Sequence, residues 1–523
     1  MILKRVLLVV AVLGLIFVAV PRPAHAAPVE DEGADCPISQ GTVTANAKLP
    51  DPFTRIDGSR ITSRSDWRCR RAEIKDQAER YVYGEKPAKP SSVTGTVSRT
   101  NITVNVSENG RSASFSAGVD LPSGTGPFPA VVVLGGFGAD TAAIKAAGAA
   151  VISYDPLAVG REGTPRNNKQ GAFYTLYGAS SSTGILLAWA WGVSRIIDVL
   201  EQSGGSVLRA DATGVTGCSR YGKGAFVTGA FDQRIALTMP IESGTGGAPI
   251  FRGVNGESGA QPLSSAYGEQ PWLGDAFGSY TGNPAALPID THEVIGMIAP
   301  RGLFIMDNPH IDWLAARSSS VAALGGAEIY RALGASDAIS YWSDVSDGTH
   351  CATRSEWRAP LQQSIQRFLR GTGSAPAVFR ISSQAAGNLA EWRTWQTPTL
   401  TAGTASPPPA TPPVSPSVSP PVSPPAPGGC AATVSTNQWN GGFVATVRVT
   451  AGTAAVSGWT VSVTLPSGAA VTSTWNASAA GSSGTVGFTN VAWNGALSAG
   501  GATEFGFQST GSGSGLAPVC AAR

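Results

Sequence analysis

Charge is scarce in this chain. Of 523 residues only 14% are Asp, Glu, Lys or Arg, and the formal net charge is +2. There is no run of like charges, so neither nucleic-acid binding nor a charged tail is expected. Histidine is scarcer still: His25, His292, His310 and His350 are the whole set. The six cysteines contain no C-x-x-C pair, which argues against zinc and dithiol redox sites, and no other metal-ligand spacing occurs. No metal and no cofactor are therefore expected. Beyond the N-terminus no apolar run approaches the ~20 residues that a bilayer span needs, so no membrane partner is expected either.

What is present divides the chain into four. Lys4 and Arg5, the apolar run 6–20 and the small-x-small step Ala24-His25-Ala26 make residues 1–26 a secretory signal. The mature chain is then extracellular, where disulfides persist. Residues 27–400 alternate strand-like and helix-like segments. FPAVVVLGG (128–136) and AAVISY (149–154) are short β-branched runs typical of buried parallel strands. Residues 213–217, 235–241 and 302–306 read the same way, and 339–342 is strand-like. GILLAWAWGVSRIIDVLE (184–201) has helical apolar spacing, and a second helix is expected from about Tyr221. Residues 91–121 alternate instead, which predicts antiparallel strands at one edge. The expectation is an α/β fold, a three-layer sandwich around a mostly parallel sheet. Residues 401–429, with Pro407-Pro408-Pro409 and repeated Val-Ser-Pro steps, form a semi-rigid linker. Residues 430–523 are rich in Thr, Ser, Val, Gly and Trp with short alternating runs, and predict an all-β sandwich.

One segment carries chemistry. Gly217-Cys218-Ser219-Arg220-Tyr221-Gly222 sits at a strand-to-helix junction, where a sharp turn lifts a serine hydroxyl out of the sheet beside free helix N–H groups. The spacing is Gly-x-Ser-x-x-Gly, one residue longer than the usual elbow. A tight turn with a capping serine is the bland alternative. A nucleophilic serine needs a base. His350, in the polar turn after the 339–342 strand, is the best placed, with His310 as runner-up. Glu242 and Asp307 each end a buried strand, where side chains face the crevice of an open α/β sheet, and either is a candidate acid. Cys218 precedes the serine and Cys351 follows the histidine, so a bond between them would clamp the two. Cys36 with Cys69, and Cys430 with Cys520, complete one pair per region. Arg220 and Lys223 stand at a helix start, which the macrodipole disfavours for cations, so a ligand-directed role competes with ordinary solvated charge. Lys223 lies one turn past Ser219 and can project to the same side.

GCSRYGKGA (217–225) resembles the nucleophile motif of the glucuronoyl esterases, carbohydrate esterase family 15. The likeness runs from Cys36 to Arg370. It includes AWAWG (188–192) with Arg195 and Asp198, ESGTGG (242–247), Ile311-Asp312-Trp313-Leu314 and the 347–351 loop. The resemblance implies an α/β-hydrolase fold and hydrolysis of esters between 4-O-methyl-glucuronic acid on xylan and lignin alcohols. It implies Ser219 as nucleophile, His350 as base, Glu242 as acid and Arg220 at the oxyanion. Lys223, Gln261, Glu269 and Trp313 would line the sugar pocket. Because the family places its acid at either of two strands, Asp307 stays open. Another carbohydrate esterase activity (acetyl-xylan or feruloyl), or a catalytically silent wall-binding protein, are the rival readings. The tail resembles family 2 cellulose-binding modules through its terminal cysteines and Trp439, Trp475 and Trp493, which would stack on a crystalline cellulose face. Trp459 reads as core. The protein is expected to act as a monomer.

Overall fold

The computed structural model describes residues 29–39, 41, 44–402, 429–439, 442–491 and 494–523. The signal, all but the ends of the linker, and Trp493 lie outside them. Two compact units result, up to Pro409 and from Ala410.

The first unit is built on ten strands: β1 (Ser92–Val97), β2 (Asn101–Glu108), β3 (Arg111–Asp120), β4 (Phe128–Leu134), β5 (Ala150–Tyr154), β6 (Leu208–Cys218), β7 (Ile235–Ile241), β8 (Gly302–Met306), β9 (Ile339–Trp342) and β10 (Phe379–Arg380). Their order is β1-β2-β3-β5-β4-β6-β7-β8-β9-β10. The first three strands pair antiparallel, β3 meets β5 antiparallel, and every pair from β5 to β10 is parallel. This is the α/β-hydrolase arrangement.

Strand β4 shows why the sequence folds this way. All seven residues are buried, and successive side chains enter different cores. Ala130, Val132 and Leu134 join the core under the helix Ile185–Gln202; Val131 and Val133 join the one under Thr141–Ala146 and Ser355–Ser364. A period of two with both faces apolar requires a helix layer on each side. β6 departs from expectation. It begins at Leu208 rather than residue 213, because Leu208 pairs with Phe128 ahead of a register shift. Its polar start, where Arg209 and Asp211 pair with each other in solvent, carries no apolar period.

The second unit is all antiparallel. One sheet has the order β11 (Cys430–Trp439), β12 (Gly442–Ala451), β17 (Ala502–Thr510), β14 (Val471–Trp475). The other has β15 (Ala477–Ala480), β16 (Thr485–Asn490), β13 (Trp459–Thr464), β18 (Pro518–Ala522). Cys430 and Cys520 join β11 to β18, and so tie one sheet to the other. Trp459 is core, stacked 5.2 Å from Phe505 with its indole N–H donating to the Asn494 carbonyl at 2.8 Å. Trp475 is 40% exposed on the edge strand β14. Its partner across the ladder is Gly506, where a Cβ would stand 2.2 Å from the indole; the glycine leaves the ring a flat seat. Trp439 ends β11, and its side chain lies outside what the structure describes.

Candidate active site

Ser219 stands between β6 and the helix Arg220–Phe231 with φ 60° and ψ −127°. Its N–H donates to the Ile241 carbonyl of the neighbouring strand at 3.0 Å, which holds the sharp turn in place. The unusual glycine spacing has a steric cause. A Cβ at Gly217 would lie 2.5 Å from the Tyr221 carbonyl oxygen, and one at Gly222 would lie 2.5 Å from that of Ile241. The helix therefore packs against both flanking strands at backbone distance, one residue further along than the common motif requires.

Glu242 follows β7 directly and is fully buried, with φ 44°. Its Oε2 accepts from His350 Nδ1 at 2.6 Å and from the Cys351 N–H at 2.8 Å; its Oε1 accepts from Asn308 Nδ2 at 3.3 Å. Cys351, with φ 58°, is bonded to Cys218 across a Cα–Cα distance of 5.8 Å. Three of the seven non-glycine residues with positive φ among the described residues are thus Ser219, Glu242 and Cys351. Left-handed backbone costs on the order of 1–3 kcal/mol at such positions and collects where a site requires it.

Asp307 is the carboxylate that does not reach the histidine. It accepts from the Asn308 N–H at 3.1 Å and the Tyr341 hydroxyl at 3.5 Å, and burial pushes its carboxyl up to about 7. His310 is committed elsewhere, with Nε2 at 2.9 Å from the Val345 carbonyl. His292 is buried, bonded to the Pro50 carbonyl at 3.0 Å and stacked on Trp395; burial lowers it to about 4. Cys218, Glu242, His350 and Cys351 cluster as metal ligands would. However, both sulfurs are tied in the disulfide, and His350 Nδ1 and Glu242 Oε2 bond each other.

Ser219 and His350 open onto a cleft of about 540 Å³, also lined by Arg220, Lys223, Gln261, Glu269, Trp272 and Trp313. That falls in the range of about 300–1,000 Å³ usual for small-molecule sites. Lys223 is buried, donates to the Ser243 carbonyl and stands 5.2 Å from the Trp272 ring centre. Burial lowers its ammonium to about 8, so it keeps its charge at neutral pH. Arg220 pairs with Glu162 at 2.9 Å, and Trp272 donates to the same carboxylate at 2.6 Å. Gln261 Nε2 donates to Glu269 at 2.7 Å. Trp313 is 52% exposed, edge-on to His350 at 6.0 Å, and so is not a core residue. The sequence did not point to Glu162, Trp272 or Asn308, which the fold brings to the site. Asn308 alone left a signal, as a neighbour of a strand-end carboxylate.

The profile "Glucuronyl esterase, fungi" matches residues 104–334. A 4-O-methyl-glucuronoyl methylesterase of Hypocrea jecorina is 40% identical over 379 residues, covering 70% of this chain and 80% of the relative. The chain belongs to the glucuronoyl esterases. A methylesterase of Thermothelomyces thermophilus is 40% identical over 372 residues, with 69% of this chain and 90% of the relative covered. The solved catalytic domain from Hypocrea jecorina superposes with a TM-score of 0.65 at 39% identity, covering 69% of this chain and 99% of that one. A serine-to-alanine mutant from Sporotrichum thermophile, in complex with methyl 4-O-methyl-β-D-glucopyranuronate, gives 0.66 at 38% identity, with 70% and 100% covered. The esterase is a carboxylic ester hydrolase, and its residues 430–522 match the cellulose binding domain profile.

Proposed function

We propose that the esterase cleaves 4-O-methyl-glucuronoyl esters, with Ser219 as nucleophile, His350 as base and Glu242 as the acid that orients it. The observation that carries this reading is the 2.6 Å contact between His350 Nδ1 and a fully buried Glu242, beside the strained Ser219 turn. With Nδ1 held as the donor, Nε2 takes the Ser219 proton as Oγ attacks the ester carbonyl. Free N–H groups at the start of the Arg220–Phe231 helix, together with the Arg220 guanidinium, receive the oxyanion. His350 returns the proton to the departing alcohol; water then attacks the acyl carbon while giving a proton to His350, which passes it to Ser219 Oγ as the acyl–oxygen bond breaks and the acid leaves. Lys223, Gln261, Glu269 and Trp313 present a cation, hydrogen-bonding groups and an aromatic face, which suits a uronic acid. Residues 1–26 direct export, 401–429 link the units, and the protein acts as a monomer on xylan–lignin esters.

Ser219→Ala is expected to lower kcat on benzyl glucuronate by about 10⁴- to 10⁶-fold and leave cellulose binding intact. Equal wild-type activity on acetyl and feruloyl esters would defeat the uronic acid assignment. On the tail, Trp475→Ala is expected to weaken binding to crystalline cellulose about 3- to 10-fold in a depletion isotherm, with unchanged hydrolysis of a soluble ester. An unaltered isotherm would remove Trp475 from the binding face.

A further inference from the structure

Arg354 is buried, and its guanidinium joins the histidine loop to the acid. NH2 donates to the carbonyls of Thr349 at 2.8 Å and Asp347 at 3.1 Å, the residues just ahead of His350. The same nitrogen stands 3.8 Å from Glu242 Oε1, the oxygen that His350 does not use. NH1 lies 3.4 Å from the Asp347 carboxylate, and the guanidinium carbon sits 5.3 Å from the Trp357 ring centre. Residues 346–349 are exposed; Ser346 Oγ donates to Glu356 at 3.2 Å and the Thr349 N–H to the Asp347 carboxylate at 2.7 Å, and Arg354 is the cation that grips the loop carbonyls.

We propose that Arg354 is a positioning residue for catalysis, which sets His350 through the loop carbonyls that precede it and stands beside the buried Glu242 carboxylate on the side away from the histidine. This rests on the reading of Ser219, His350 and Glu242 given above. One nitrogen holds both carbonyls and stands near Glu242 while the other faces the Asp347 carboxylate, a two-nitrogen span that a single ammonium does not cover. At 3.8 Å the cation balances Glu242 without competing for Oε2. A displacement of about 1 Å in a catalytic base costs on the order of 100-fold in rate.

Other charges also face this group. Arg354 and Asp347 flank it on its own loop, Asp307 lies beyond Glu242, and Arg220, Lys223 and Glu269 lie across the cleft. Arg354→Ala and Arg354→Lys are to be compared with wild type for kcat, KM and melting temperature. The expected result is a loss of about 100-fold in kcat for alanine and about 10-fold for lysine, with KM within about threefold in both. Wild-type kcat in either folded variant overturns the proposal, as does a KM raised in step with the fall in kcat in a folded alanine variant. Should alanine fail to fold, the kcat of the lysine variant decides. Glu242→Gln separates the two levels: if it retains activity, the triad reading itself is wrong, whereas an inactive Glu242→Gln beside an active Arg354→Ala removes only Arg354.

Discussion

Glu242→Gln is expected to reduce kcat by about 10⁴-fold, whereas Asp307→Asn stays within a few-fold of wild type. An amide at position 242 cannot offset the imidazolium charge that forms on His350 during attack. It must also satisfy the His350 Nδ1–H and the Cys351 N–H, which converge on one oxygen. Asp307 makes neither contact, and its replacement changes stability instead. Burial holds its carboxyl up to about 7, against an unfolded value near ~3.9. Between those values the folded chain keeps a proton that the unfolded chain has lost, so the stability this group contributes falls as pH rises from about 4 to about 7. Asp307→Asn flattens that decline, which melting temperatures across the range will register. Collapse of kcat in Asp307→Asn with retained activity in Glu242→Gln would move the acid to the strand before Asp307.

Glu30→Ala is expected to destabilise the catalytic unit by about 3 kcal/mol, the low end for breaking a buried ion pair, because Glu30 is 16% exposed. Its carboxylate meets Lys86 at 2.7 Å and Arg234 at 3.5 Å, and pairs with Arg195. Asp198 meets Arg195 at 2.8 Å and Arg234 at 2.7 Å, and Asp232 meets Arg234 at 2.8 Å. With Lys89 on Asp198 and Glu201 on Arg234, both at 3.2 Å, four cations face four anions, and Glu30→Ala leaves one cation in excess. Burial opposes ionisation of Glu30, but Lys86, Arg195 and Arg234 together hold its carboxyl well below the usual range. A depressed carboxyl contributes stability above its unfolded value of about 4.3 and loses it as pH falls toward the folded one. Wild type therefore weakens below about pH 4.3, and Glu30→Ala lacks that part of the acid limb. Denaturant midpoints at pH 7 and pH 3 measure both. Equal midpoints for the two proteins at pH 7 would mean that the N-terminal segment is not held by these charges.

Much of this is legible in the sequence. Strands β7, β8 and β9 coincide with the strand-like runs read from the chain, because strands buried on both faces need a largely apolar sequence and stop where it stops. The serine turn was legible through its glycines, and His350 through the near absence of other histidines. The three disulfides join the pairs expected from position, since one pair per region leaves little choice. The polar start of β6 was not legible, because its pairing comes from β4 and not from its own pattern.

The site divides along the same line. By itself the sequence determined the elements, their order and the residue types brought to the sheet's C-terminal edge, since apolar period and turn chemistry are local. Only the tertiary structure decided which of two strand-end carboxylates meets His350. That choice depends on a left-handed turn at Glu242, on a disulfide that draws the histidine loop to the serine turn, and on Asn308 and Arg354 from other elements. The burial of Lys223 and the pairing of Arg220 with Glu162 arise likewise from residues distant in the chain. Hydrogen bonds of a few ångströms are set by packing across strands, and no local pattern records them.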